Sequence, residues 1–250
     1  MRKLPILAAV KHTLNSVIAY RGTGIRIGLL WMIVLLALNF AGEFLIGRPP
    51  EQQPGRIWLF VLVQIAVNLI ALSSIAVNWN RFVLRDELPA AHSALRLDDL
   101  VWRYAGNWLL IILMTFLPVA VLIAILSALM PPAVTLALPA VAVAGTAHFM
   151  LSLKLPAIAL GRTGFGLTDA IKVSKGNFWQ VMGVFLFNAL IASALLLMLF
   201  ILAGLLSYLP RVIAAAIDLA AVVAVNLFVI LFNVNTFTSL YGFFVERRDF

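Results

Sequence analysis

Six long apolar runs dominate this chain: Gly24–Ile46, Ile57–Val77, Trp108–Met130, Ala133–Leu153, Val181–Leu206 and Val212–Phe232. Roughly 20 apolar residues suffice for a helix to cross a hydrocarbon layer of about 30 Å, and a soluble domain has no core large enough to hide six such runs. Apolar residues make up 64% of the 250 and charged residues 11%, against roughly 45–50% and about 25% in soluble domains. The expected fold is therefore all-α. It is a polytopic membrane helical bundle of six transmembrane helices, forming a single integral membrane domain over residues 1–250.

The separators carry the orientation. Gly47–Arg56 is a proline-rich polar turn, Pro131-Pro132 splits two runs that would otherwise fuse, and Ser207–Arg211 divides the last two. Proline lacks the helical donor and restricts its predecessor, so each connector stops a helix. Of the 18 basic residues, these connectors hold only Arg48, Arg56 and Arg211, while the termini and the other two loops hold 15. Basic loops stay cytoplasmic, which predicts an N-in/C-in topology. Trp79, Trp102, Trp108 and Trp179 fall near the same boundaries and are expected to form an interfacial belt. The apolar run Leu4–Val10 is broken by Lys11 and no small-residue cleavage pattern follows, so a cleaved signal peptide is not expected.

The segments before the odd-numbered spans look alike. Asn15, Asp99 and Asp169 each stand seven positions before a glycine, Gly22, Gly106 and Gly176, with Arg21, Arg103 and Lys175 preceding the glycine. Each reads as a short interfacial helix started by Asn or Asp and broken by glycine. Leu4–Tyr20 is the most amphipathic, with Leu7, Val10, Leu14, Val17 and Ile18 on one face. The expectation is a threefold hairpin repeat with units 1–80, 81–155 and 156–250, against the alternative that basic loops and interfacial aromatics resemble one another in any six-span protein.

Composition also removes chemistry. Without cysteine there is no disulfide, thiolate nucleophile or cysteine metal site. His12, His92 and His148 share no helical face, and no zinc, phosphate-loop or nucleophile-elbow string occurs, so neither a cofactor nor a metal is expected. The +8 charge is explained by the loops, and no nucleic-acid partner is expected.

Polar residues at membrane depth are the remaining candidates. Asp218 lies seven residues past Arg211, roughly 10 Å along a helix. Arg211, Asp218, Asn226 and Asn233 fall on one face, Gln64, Asn68 and Asn78 form a second stripe, and Asn39, Glu43, Asn188 and His148 could join a polar seam. One reading is a water-filled path or proton relay through Asp218, with Glu43 towards the outside and His148 towards the inside. The favoured one is structural: interhelical hydrogen bonds, with Arg211 and Asp218 paired.

The strings Asn80–Glu87 (NRFVLRDE) and Leu155–Gly161 (LPAIALG), with the Asp169–Gly176 helix, resemble a family of six-span bacterial inner-membrane proteins with no assigned activity. That family is similar to the membrane region attached to some glycerophosphodiester phosphodiesterases. The resemblance implies a bacterial inner-membrane location; the phosphodiesterase domain is missing, so no catalytic residue carries over. Three functions stay open, in this order: a non-catalytic accessory, assembly or envelope-organising factor, a small transporter, channel or permease subunit with a polar path near Asp218, and a lipid-acting enzyme. Expected partners are membrane lipids and a partner membrane protein, with the oligomeric state left open.

Overall fold

The structure, a computed structural model, describes residues 2–46, 54–88, 95–129 and 137–250. The connector segment 47–53 and Pro131-Pro132 lie outside the described residues, as does His92. The described chain forms α1 (Ile6–Ala19), α2 (Arg21–Ile46), α3 (Pro54–Arg85), α4 (Asp99–Leu129), α5 (Ala137–Leu151), α6 (Lys154–Ala159), α7 (Leu167–Ser174), α8 (Phe178–Leu206) and α9 (Arg211–Phe244). Six helical stretches are long and apolar enough to cross a membrane, the fourth being α5 and α6 together, Ala137–Ala159. The protein is an all-α membrane helical bundle.

Helices α3, α4, α5, α8 and α9 close a ring in which each packs on its two neighbours, and α2 packs on α3 and α9. The tight packing sits at the end bearing both termini. There α8 buries Val181, Val184 and Asn188 and then nothing before Leu206, while α9 buries nothing before Val225 and α5 nothing before Ala144. Close approach there relies on small residues: a Cβ on Gly145 would lie 2.2 Å from the Phe185 ring and one on Gly28 2.2 Å from Leu227.

The helices outrun the apolar runs that predict them. α3 continues to Arg85, α4 begins at Asp99 and α9 reaches Phe244. α4 starts one residue after its cap, Asp98, whose Oδ1 accepts the Val101 N–H at 3.3 Å. Burial pushes the Asp98 carboxyl up, but the Arg96 guanidinium and the Val101 amide outweigh it and hold it below the usual carboxylate range.

The three interfacial segments differ from one another. In the third, Gly176 breaks the chain at φ +80° between α7 and α8, as its spacing predicts. In the first, the break falls at Tyr20, and Gly22 lies inside α2. In the second there is no break: Gly106 lies inside α4 and Asn107 donates to its own helix at Arg103 O, 2.8 Å. Its counterpart Asn177 instead accepts from Leu4 N at 2.9 Å and donates to Arg2 O at 3.2 Å, tying the segment before α1 to the start of α8.

The tryptophan belt divides as well. Trp102 and Trp179 face outward. Trp79 is 0% exposed inside the bundle, because the polar residues around it make room for its indole N–H. Trp108 is half-buried.

Candidate functional site

The stripe residues all lie on α9, yet the neighbours of that helix change along the bundle, so Asp218, Asn226 and Asn233 line three separate clefts. Asp218 lies in a groove of about 210 Å³ between α8 and α9, with Ala203, Ser207 and Ala215. Asn226 shares a cleft of about 170 Å³ with Asn39 and Asn68, between α2, α3 and α9. Asn233 lines a third cavity of about 440 Å³ with His148, between α3, α4, α5 and α9.

Arg211 and Asp218 are not paired: among the described residues no ion pair or hydrogen bond joins them. Two helical turns separate them, and Arg211 is exposed as the first residue of α9. The amides mostly satisfy themselves locally. Asn68 donates to Gln64 O at 2.8 Å, Asn226 to Val222 O at 2.8 Å and Asn233 to Val229 O at 2.8 Å. Between helices, Gln64 Nε2 donates to Asn39 Oδ1 at 2.7 Å, joining α3 to α2. The side chain of Glu43 lies outside the described residues. His148 is 8% exposed, packed among Phe116, Phe149 and Phe237.

The densest polar network lies elsewhere, at the end bearing the termini. Trp79 Nε1 donates to Asn235 Oδ1 at 3.1 Å, and Asn235 Nδ2 donates to Thr13 O at 3.0 Å, so one amide joins α3, α9 and α1. Thr238 Oγ1 donates to Asn80 Oδ1 at 2.9 Å, joining α9 to α3. Asn188 Nδ2 donates to Thr236 Oγ1 at 2.7 Å, joining α8 to α9. These groups are buried and mutually satisfied, which fixes helix register. Sequence reasoning named Asn188 as an intramembrane polar residue, Trp79 as an interfacial anchor and Asn80 within the NRFVLRDE string, but not as one network, because most of these groups sit beyond the apolar runs where hydropathy suggests a loop.

The two strings that carry the family resemblance meet in space. Arg85 donates to Leu160 O at 2.6 Å and Arg81 to Ala159 O at 3.3 Å, capping the buried helix α6, whose last carbonyls lack intrahelical partners. Glu87 pairs with both arginines.

Helix α1 shows three faces. Ala9, Thr13 and Val17 are buried on α8 and α9. His12, Ser16 and Tyr20 line a cleft of about 440 Å³ with Asp86, Arg248 and the C-terminal residues. Leu7 and Ile18, 71% and 48% exposed, point outward with exposed Lys11. At about 100° per residue Val17 and Leu7 stand only about 80° apart around the helix, which is why the amphipathic reading merged them. Compared with protein-family models, curated proteins and solved structures, the chain matches none.

Proposed function

We propose that the chain is a non-catalytic accessory or envelope-organising protein of the bacterial inner membrane, with both termini cytoplasmic, that binds lipid at its basic end. The observation that carries this reading is the setting of α1. Its backbone is held by Asn235, its buried face rests on the bundle, and Leu7 and Ile18 are left facing outward. Lys3 and Lys11 stand four residues on either side of Leu7, and Lys3 Nζ donates to Gly176 O at 2.7 Å. Apolar residues set into the headgroup boundary, with cations worth about 1 kcal/mol each at an anionic surface, suit a fixed lipid contact.

The test is purification in mild detergent followed by lipid mass spectrometry. Leu7→Asp with Ile18→Asp is expected to lower co-purifying anionic phospholipid at least threefold, with stability changed by only about 0.5 kcal/mol, as for exposed positions. Unchanged lipid retention in a folded double variant sinks the reading.

One observation favours transport instead: Asp218 has no ion pair or hydrogen bond among the described residues and lies in a groove beside Ser207. An intramembrane acid left unpaired is a candidate proton carrier. In liposomes holding a pH-sensitive dye, the accessory reading expects wild type and Asp218→Asn to show the same slow leak as lipid alone. Proton flux lost on Asp218→Asn would replace it with transport.

A further inference from the structure

The cavity between α3, α4, α5 and α9 combines two features. Its walls are mostly apolar, formed by Leu72, Ala76, Ile112, Phe116, Ile230 and Phe237. Two aromatic nitrogens in those walls are buried without a partner, His148 Nδ1 and Trp108 Nε1. His148 is more than nine-tenths buried, so water bathing the protein surface does not satisfy it. A buried polar atom without a partner carries a desolvation cost, and here the two side chains that carry such atoms line one space.

At about 440 Å³ the space falls within the size range of small-molecule sites, which pair an apolar lining with a few orienting polar groups. No Lys, Arg, Asp or Glu lines it among the described residues. A charged headgroup would therefore enter without a counter-charge, at high desolvation cost. A neutral oxygen function suits the walls, since a hydroxyl accepts from the indole N–H and both donates to and accepts from imidazole nitrogens. The cavity's outer rim includes half-buried Ile112, Phe116, Val229 and Ile230 on α4 and α9, two helices that are not ring neighbours. A chain can lie between them.

We propose that this cavity binds a neutral single-chain amphiphile of the membrane, a long-chain alcohol or its glycerol ester. Its hydrocarbon lies along α4 and α9, and its oxygen engages His148 and Trp108 after a small rotation of either ring. The proposal goes beyond the lipid contact of α1 and assigns a second class of ligand to a separate site.

The test is native mass spectrometry of the full chain released from detergent after incubation with octadecanol, monooleoylglycerol, octadecane or octadecanoate. A one-to-one adduct is expected with octadecanol or monooleoylglycerol, and which of the two is retained identifies the source. Octadecane and octadecanoate are expected at least fivefold lower. His148→Phe, which keeps the aromatic packing, should lower the adduct at least fivefold at an unchanged melting temperature. Ile112→Trp, which fills the cavity and leaves both nitrogens in place, should lower it as well. Equal retention of octadecane, full retention in folded His148→Phe, or no adduct with either oxygenated ligand overturns the proposal. Failure of the α1 variants to lose phospholipid would sink the reading of the basic end and leave this result standing, so the two outcomes are separable.

Discussion

Asn235→Leu is expected to destabilise the protein by about 2–4 kcal/mol, the larger of the two stability losses argued here. Asn235 is 0% exposed and supplies the acceptor for Trp79 Nε1 and the donor to Thr13 O. Removing it strands the indole N–H of a side chain that is itself 0% exposed, a loss of about 1–3 kcal/mol, and leucine must also repack a site shaped for an amide. The loss reads out as a thermal midpoint lowered by roughly 5–10 °C in detergent. Because the same amide holds α1, trypsin should cut at Lys11 faster than in wild type, while the sites on α7 change less. Trp79→Phe combined with Asn235→Leu should cost less than the two single changes added together, since removing both partners leaves no orphan. Strict additivity would show that the pair is not coupled.

The position of this network explains what was and was not legible in the sequence. Each apolar run became a membrane helix, because a run of that length has few other stable states in or out of lipid. The helix ends were less legible. Asn78, Asn80, Asn235, Thr236 and Thr238 lower local hydropathy, so the spans read as ending before them, at Val77 and Phe232. Their partners lie far off in sequence, Trp79 to Asn235 across 156 positions and Asn80 to Thr238 across 158, and no local pattern signals such a match. The stripe on α9 shows the complementary failure. Helical periodicity assigns Asp218, Asn226 and Asn233 to one face, but only the tilt and order of the neighbouring helices decide that they meet three clefts. The repeat is intermediate. Gly176 behaves as its spacing predicts, whereas Gly106 stays helical because Asp98 caps α4 further back and the helix simply continues.

The second large effect is expected at the arginine clamp on α6. Arg81→Leu together with Arg85→Leu should cost about 2–3 kcal/mol, the Arg85 change contributing most because its bond to Leu160 O is 2.6 Å against 3.3 Å for Arg81 to Ala159 O. Hydrogen bonds from a charged donor are worth about 1.5–3 kcal/mol when buried. That range is discounted here because the Arg85 side chain is 40% exposed. The ion pairs with Glu87 are a separate contribution, and salt distinguishes the two. Glu87 is 42% exposed, so Glu87→Gln should cost less than about 1 kcal/mol, and the difference from wild type should shrink further in 1 M salt, where the screening length is about 3 Å. The double arginine loss should persist at the same salt concentration, because the carbonyls of Ala159 and Leu160 lie on residues buried against the bundle and have lost their donors. Melting measured by intrinsic fluorescence at low and high salt checks both halves. If the arginine variant recovers in salt as the glutamine variant does, the clamp is a surface ion-pair cluster and α6 is held by burial of Leu155, Ala157 and Ile158 alone.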